Sequence, residues 1–424
     1  MNVWVLQMGE PISFFDGGNR PFRTEMLVNR LVERGNSVLH WTSTFDQLRK
    51  TFRFCEGREV TMGARLRYRF LHGPTPYTKS VSIRHSRHDR ELARDFCRCA
   101  SEEAPPDLIL CSIPPLRLAR RVSEYARRRS VPLILDVRDR WPDSFLRALH
   151  FPLYQLFHWI FRHERRRAQQ VLHGADAVSA ITEDCLRWAH RQADRPPGPW
   201  DRVFPLAYEE PPATLFATDR QRWEFRKSLS LGKTAAIITC IGRVGSVFDF
   251  AMVVALARQF AAEGRRDVRF VLAGENPVRH QRLPNLTVTG WLDRLKLQKL
   301  LAVSTIGLLP YRDMQGPTVR NKAMDFLAMG VPVVSSLGGE LSQLMEQYRF
   351  GLSFPAGDLP ALRLAVDQIL RSTELQAAMR IGAGKAFQEH FTATQVYGAF
   401  AEFLEEFHRA HSPTPPPGDF LRTS

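Results

Sequence analysis

The sequence lacks the features of a membrane-spanning protein and of a disulfide-stabilised one. It contains no run of about 18 apolar residues, the length that a transmembrane helix requires. Its six cysteines are too few for a disulfide framework in 424 residues. Cys97 and Cys99 have no second cysteine pair at zinc-ligand spacing, so no metal site is expected. The N-terminal residues are apolar, but the chain becomes polar and acidic at Glu10. This pattern does not resemble a signal peptide and predicts a cytoplasmic protein.

Acidic residues are the scarcer charged class, with 44 Asp and Glu against 59 Lys and Arg and a net charge of +15. The excess is uneven, because residues 1–200 carry +11 and residues 201–424 carry +4. Such a surplus indicates an anionic partner, which is a nucleic acid, a membrane surface or a phosphorylated substrate. No nucleic-acid-binding module is recognisable, which disfavours the first of these.

Short apolar segments alternate with amphipathic ones, the pattern of parallel sheets with crossover helices. A proline-rich stretch separates two such series, so we predict an α/β protein with two Rossmann-like parallel-sheet domains facing across a cleft, the default binding site. The predicted units are a first domain at 1–200, a linker at 201–213, a second domain at 214–388, a C-terminal helix at 389–412, for which packing on the first domain is one option, and a disordered tail at 413–424.

The segment from 307 to 358 holds the most informative motif. A strand ends at Pro310, a polar loop follows, and a helix starts near Asn321. Free N–H groups at a helix N-terminus favour anions, and Lys322 in the first turn suits a bound anion better than it suits the helix dipole. Asp325 lies one turn later on the same face, where it can accept hydrogen bonds from sugar hydroxyls. The alternative is an ordinary βαβ unit with solvated charges.

This segment resembles the donor-sugar domain of retaining glycosyltransferase family 4, which has the GT-B fold of two facing Rossmann-like domains. The matching residues are Asp325, Ala328, Gly330, Pro332, Val333, Val334, Gly338, Gly339, Gly351, Pro355, Gly357 and Asp358. In that family two glutamates eight positions apart bind the donor. The second contacts the ribose and corresponds to Asp325, whereas the first corresponds to Pro317. The P-x-x-x-N-K order from Pro317 to Lys322 resembles enzymes of O-antigen and capsule assembly, with Thr318 and Asn321 in the donor site.

Other segments of the second half resemble the same family. Gly242 and Arg243 follow a strand, and the resemblance implies that Arg243 contacts the donor diphosphate. The family has a lysine five residues on, where this chain has Phe248, so Lys322 is inferred to supply the second positive charge. Further donor contacts are implied at Gly274, Glu275 and Trp291. The alternatives are a surface role for Arg243 and a packing role for Trp291.

In the first half, the resemblance implies a donor-facing loop and an acceptor side. The loop carries Gly17 and Gly18, whose lack of a side chain permits close approach to a phosphate or sugar. A flexible surface loop is the alternative. Possible acceptor-binding residues are Ser43, Thr44 and Asp46.

A charged cluster follows the strand predicted at 132–136. Dense charge at the carboxyl end of a strand is costly unless it is paired or functional. Many relatives have a histidine that touches the donor sugar where this chain has Arg138. Arg138 or Asp139 is therefore a candidate to hold the transferred sugar or the acceptor, and a structural Arg–Asp network is the alternative.

Residues 151–167 are aromatic and apolar at first and then basic. The apolar part is too short to span a bilayer, but aromatic residues flanked by arginines suit an interfacial segment on an anionic membrane. A helix packed on the sheet, with a solvated basic end, is the alternative.

The resemblance implies a hexosyl or N-acetylhexosaminyl transferase that moves a sugar from a nucleotide-diphosphate donor, with retention, to a lipid-linked saccharide at the inner face of the cytoplasmic membrane. The catalytic candidates are Arg138, Asp139, Arg243 and Lys322. No cofactor or metal is expected, since the nucleotide sugar is a substrate. Two alternatives are a nucleotide-sugar 2-epimerase on the same fold and a non-catalytic, membrane-associated glycan-assembly protein.

Overall fold

The computed structural model of the chain describes residues 1–15, 20–79, 81–146, 153–232, 236–242, 248–274, 283–312 and 321–412. The described residues form two large sheets, one in each half of the chain.

The N-terminal half contains a mostly parallel sheet and a separate pair of short strands. Its strands are β1 (Asn2–Leu6), β2 (Ser37–Ser43), β3 (Phe45–Asp46), β4 (Thr51–Phe52), β5 (Arg58–Thr61), β6 (Leu66–Leu71), β7 (Leu108–Ile113), β8 (Leu133–Val137), β9 (Ala177–Ala180) and β10 (Arg202–Val203). Its helices are α1 (Arg23–Glu33), α2 (Ile83–Ala100), α3 (Leu116–Arg129), α4 (Asp143–Leu146), α5 (Leu153–Ile160), α6 (Arg162–His173) and α7 (Glu183–Ala193). The sheet has the order β10-β9-β8-β7-β1-β2-β6-β5, with β5 antiparallel to β6, while β3 and β4 form a separate antiparallel pair.

The C-terminal half contains a fully parallel sheet in the part that the structure describes. Its strands are β11 (Ala236–Ile241), β12 (Val268–Ala273), β13 (Leu286–Gly290), β14 (Ile306–Leu309), β15 (Val333–Ser335) and β16 (Gly351–Ser353), in the order β13-β12-β11-β14-β15-β16. The helices are α8 (Asp219–Ser228), α9 (Phe250–Ala262), α10 (Arg294–Ala302), α11 (Asn321–Ala328), α12 (Glu340–Tyr348), α13 (Leu359–Arg371), α14 (Thr373–His390) and α15 (Ala393–His411).

The central strands are continuous apolar runs because helices cover the sheets on both faces. Strand β8, for example, reads Leu-Ile-Leu-Asp-Val and is buried at every residue. Several following helices begin at a side-chain cap: Thr182 of α7, Asp249 of α9 and Asp358 of α13 each accept a backbone N–H three residues on. These caps fix where each helix starts after its loop, so helix N-termini gather at the carboxyl edge of each sheet, where open α/β sheets bind ligands.

The chain crosses between the halves twice, and the two crossings pair with each other. The Tyr208 N–H donates to the Phe391 carbonyl at 2.9 Å, and the Ala393 N–H donates to the Tyr208 carbonyl at 2.9 Å. Helix α15 then packs against α1 of the N-terminal half and stacks Phe400 on Phe204, with ring centroids 4.1 Å apart. The unit boundaries named above stay predictions.

Candidate functional site

A cavity of about 260 Å³ lies between the two halves, at the carboxyl edge of the C-terminal sheet. It is near the lower end of ligand-site volumes, about 300 Å³. Its lining residues are Arg20, Phe22, Leu48, Tyr208, Ile241, Gly242, Ala273, Gly274, Trp291, Leu292, Arg294, Leu297, Lys322 and Asp325. The structure thus brings together the predicted donor-site residues Gly242, Gly274, Trp291, Lys322 and Asp325.

The floor of the cavity depends on two glycines that follow adjacent strands. Gly242 follows β11 and Gly274 follows β12. Gly274 has φ +116°, which L side chains rarely adopt, and a Cβ there would overlap the Gly242 carbonyl oxygen. Only glycine at 274 lets the two strand ends approach this closely. Because neither glycine has a side chain, the backbone itself faces the cavity. Trp291 stands at the rim with 65% of its surface exposed.

Lys322 lies in the first turn of α11 with its ammonium over an aromatic ring. Its Nζ is 3.5 Å from the ring centroid of Phe248, a buried residue. Phe248 is itself held by Tyr311, at 4.3 Å between ring centroids, and by Phe250 at 5.6 Å. A cation over a ring face is attracted by the ring quadrupole. Phe248, which stands where the family has a lysine, therefore positions the Lys322 ammonium at the cavity.

Asp325 is a buried carboxylate one turn along the same helix, 7% exposed. Its Oδ1 atom lies 3.8 Å from Arg20 Nε and accepts no hydrogen bond from the described residues. Burial raises the pKa of Asp325. Three groups oppose that rise only in part: the charge of Arg20, a hydrogen bond from the Tyr208 hydroxyl and the charge of Lys322. A buried acceptor oxygen facing a cavity suits a ligand that brings hydroxyl donors.

Two side chains of this site, Arg20 and Tyr208, were not among the predicted donor residues. The Arg20 guanidinium lies between the rings of Phe22 and Tyr208, with its Cζ 4.8 and 4.9 Å from their centroids. Burial raises the pKa of the Tyr208 hydroxyl, which stays protonated as a donor. Tyr208 lies in the proline-rich connection, where the sequence carries no periodic signal.

Arg138 and Asp139, the sugar-holding candidates, do not line this cavity. The Arg138 guanidinium donates to Asp136 Oδ2 at 2.8 Å, to Glu10 Oε1 at 2.5 Å and to Thr24 Oγ1 at 2.9 Å. Burial alone would raise the pKa of Asp136, but Arg23 and Arg138 outweigh it and hold that pKa well below its usual range. The structural network that stood as the alternative is therefore present around Arg138, and the catalytic roles of Arg138 and Asp139 stay predictions.

Ser43, Thr44 and Asp46, the acceptor candidates, are buried at the end of β2 and in β3. Ser43 Oγ accepts the Phe45 N–H at 3.0 Å, and Asp46 Oδ1 accepts the Leu48 N–H at 2.7 Å, which shapes the turn that brings Leu48 to the cavity. Thr44 Oγ1 lies 2.9 Å from His72 Nδ1. Asp46 also lines a second cavity of about 170 Å³, whose other walls are Phe15, Arg49, Thr51, Phe52, Arg53 and Phe54.

Several predicted residues lie outside the described part of the chain: Gly17, Gly18, Arg243, Glu275, Pro317 and Thr318. Asn321 begins α11, and its side chain also lies outside the described part.

From residue 153 onward, the aromatic and basic segment predicted at 151–167 forms α5 and the start of α6. Trp159 is 63% exposed and Ile160 47% exposed, and the Arg162 guanidinium lies 4.9 Å from the Trp159 ring centroid. Within the described ranges, no helix combines the length and the apolar character needed to cross a membrane. The same residues contain no cluster of three or more His, Cys, Asp or Glu side chains arranged to hold a metal ion.

Residues 235–372 match the family described as Glycosyl transferases group 1. No curated protein sequence matches the chain. Among solved structures, sucrose-phosphate synthase from Thermosynechococcus elongatus has 15% identity and a TM-score of 0.72, covering 96% of this chain and 99% of that one. Anabaena HepE in complex with UDP has 13% identity and a TM-score of 0.65, covering 96% and 100%.

A third neighbour is WaaG, a glycosyltransferase involved in lipopolysaccharide biosynthesis, with 10% identity, a TM-score of 0.63 and coverage of 95% and 99%. These neighbours confirm the predicted fold of two facing Rossmann-like domains, the GT-B fold. The family match covers residues 235–372 of the second half, which contain its parallel sheet and the helix that carries Lys322 and Asp325.

Proposed function

We propose that the protein is a retaining, metal-independent glycosyltransferase of family 4. It moves a sugar from a nucleotide-diphosphate donor to a hydroxyl of a lipid-linked saccharide in cell-surface polysaccharide synthesis. The observation that carries this proposal is the cavity in which Asp325, Lys322 and the backbone at Gly242 and Gly274 converge. A nucleoside diphosphate requires a hydrogen-bond acceptor for its ribose hydroxyls, a cation for its phosphates, and backbone without side chains that it can approach closely.

Each part of the donor has a matching part of the cavity. Asp325 Oδ1, buried and without a hydrogen-bond donor among the described residues, accepts from the ribose hydroxyls. Lys322, positioned by Phe248, binds the diphosphate together with Arg243. Trp291, exposed at the rim, covers the base region. Anabaena HepE has been solved with UDP and with UDP-glucose, which supports a donor of this class.

The proposed reaction is attack on the face from which the phosphate leaves. The bond from the anomeric carbon to the diphosphate oxygen breaks, the bond to the acceptor oxygen forms, and the acceptor proton passes to the departing phosphate. Negative charge grows on the diphosphate as this bond breaks, so fixed cations stabilise the transition state. In the present proposal Lys322 and Arg243 do this without a metal ion.

On the acceptor side, the second cavity combines three phenylalanine rings with Asp46 and two arginines, groups that bind sugar rings and phosphates. Exposed Trp159 and Ile160 beside Arg162 suit the headgroup region of an anionic membrane, where a lipid-linked acceptor resides. We therefore place the protein at the inner face of the cytoplasmic membrane.

The test is a thermal-shift screen of the full chain with UDP, GDP, ADP and dTDP. At 100 times the dissociation constant a ligand stabilises by about 2.7 kcal/mol, so one nucleotide should raise the Tm clearly. Lys322→Ala should weaken its binding about 10- to 100-fold, because a charge-assisted contact of about 1.5–3 kcal/mol is lost. Lys385→Ala is the matched control, since Lys385 is an exposed lysine of α14 paired with Glu389.

If none of the four nucleotides raised the Tm, the donor site would be wrong. If a nucleotide bound Lys322→Ala as tightly as the unmodified chain, the phosphate role of Lys322 would be wrong. Release of a free epimerised sugar, rather than transfer to an acceptor, would instead support the 2-epimerase.

A further inference from the structure

Among the residues that line the donor cavity, Arg20 is the charged one that comes from the N-terminal half. Its side chain is 14% exposed, and its guanidinium lies between the rings of Phe22 and Tyr208, within 4.9 Å of both centroids. Rings on two sides fix the plane of the guanidinium, so its position is set by packing rather than by a bidentate ion pair.

Among the described residues, the carboxylate that pairs with Arg20 belongs to the other half of the molecule. Arg20 Nε lies 3.8 Å from Asp325 Oδ1, beyond hydrogen-bond length. At this separation Arg20 stabilises the charge of the carboxylate and leaves its oxygen available to a ligand.

We infer that Arg20 is a positioning residue of the donor site, which acts through Asp325 by holding that carboxylate ionised from across the cleft. This inference rests on the proposed function, in which Asp325 accepts the ribose hydroxyls. A protonated Asp325 would lose its negative charge and would donate from one of its oxygens, so it would accept more weakly from the ribose hydroxyls. Because Arg20 and Asp325 come from different halves, donor affinity also depends on how closely the halves approach.

The pH dependence follows from the groups that face Asp325. These are Arg20 from the loop before α1, Tyr208 from the connection and Lys322 from its own helix, with Arg294 of α10 facing Tyr208. Burial raises the pKa of Asp325, and Arg20 comes first among the groups that lower it. Donor affinity should fall as the pH drops through this pKa. Without Arg20 the pKa rises further, so the fall should begin at higher pH.

The experiment is calorimetric titration of the full chain at pH 5 to 8.5 with whichever of UDP, GDP, ADP or dTDP raises its Tm. For Arg20→Ala we expect the midpoint of the affinity profile to move to higher pH, with the affinity about tenfold lower at the acid end. At pH 8.5 the loss should be less than threefold, which also shows that the variant folds. Arg20→Lys should keep most of the profile.

Arg30→Ala is the matched control, because Arg30 is a surface arginine of α1 that pairs with Glu33. It should reproduce the profile of the unmodified chain. An Arg20→Ala profile that is lowered equally at every pH would mean that Arg20 touches the donor directly, and an unchanged profile would mean that it does not act on Asp325. Either result overturns the inference while the proposed function stands. If no nucleotide binds the unmodified chain, the proposed function fails first.

Discussion

The two halves of the molecule use their charged residues differently. In the N-terminal half, charged side chains pair with one another: Arg23 and Arg138 hold the buried Asp136, and the partly exposed Arg67 and Arg69 contact Glu59 and Glu103. In the C-terminal half, Lys322 and Asp325 face the cavity, and one Asp325 oxygen lacks a hydrogen-bond donor among the described residues. Paired charges in the first half therefore stabilise its fold, whereas Lys322 and Asp325 of the second half line a cavity between the halves.

This difference also qualifies the charge surplus of the first half. A net charge of +11 in residues 1–200 says little about a partner when many of those arginines are engaged internally. The exposed arginine and aromatic side chains of α5 and α6 are better evidence for an anionic surface than the net charge is.

The largest expected effect concerns the buried pair of Arg23 and Asp136. Asp136→Ala leaves the Arg23 guanidinium, 2% exposed, without its counter-ion, so we expect a loss of about 3–5 kcal/mol in the free energy of unfolding. Urea unfolding followed by circular dichroism measures it. The control is Asp184→Ala, which removes an exposed pair with Arg187 and should cost less than about 1 kcal/mol. A cost for Asp136→Ala within 1 kcal/mol of the control would contradict a structural role for the network.

A smaller effect is expected at the cavity floor. Gly274→Ala places a Cβ against the Gly242 carbonyl at a φ of +116°, so it should lower the free energy of unfolding by about 2–3 kcal/mol and weaken nucleotide binding. Gly264→Ala is the control, because Gly264 also has a positive φ, +70°, but has open space around it. It should cost about 1 kcal/mol and leave binding unchanged. Equal costs at both positions would show that close approach at the floor is unimportant.

The smallest effect is at the exposed surface of the first half. Trp159→Ser should reduce binding to vesicles containing phosphatidylglycerol about fivefold, since roughly 1 kcal/mol of apolar burial is lost, without changing the Tm. Trp223→Ser is the control, because Trp223 is 38% exposed but lies on α8 in the other half. Flotation of the vesicles measures binding. If both variants bind like the unmodified chain, α5 is not the membrane-contacting surface.

The buried elements could be predicted from the sequence, and the amphipathic and connecting ones could not. Strands such as β7 and β8 are apolar runs flanked by turn residues, so their position was evident. Helix α2 is harder to predict, because eight of its 18 residues are charged and only a narrow stripe around Leu92 and Phe96 is buried. Such a stripe is a weak periodic signal within a strongly polar segment.

The candidate site shows the same division. Gly242, Gly274, Lys322 and Asp325 could be predicted because they lie at strand ends or in the first two turns of a helix, within segments that resemble a known family. Arg20 and Tyr208 come from a loop and from the connection, and only the tertiary fold brings them to Asp325.

The paired crossing segments have a mechanical consequence. A single connecting chain would let the two halves swivel and slide, whereas two hydrogen-bonded segments restrict twisting of one half against the other. Tyr208 belongs to this crossing, with its backbone bonded to both Phe391 and Ala393 and its ring against Arg20. A bend at the crossing would therefore change the separation between Arg20 and Asp325, which belong to opposite halves of the molecule.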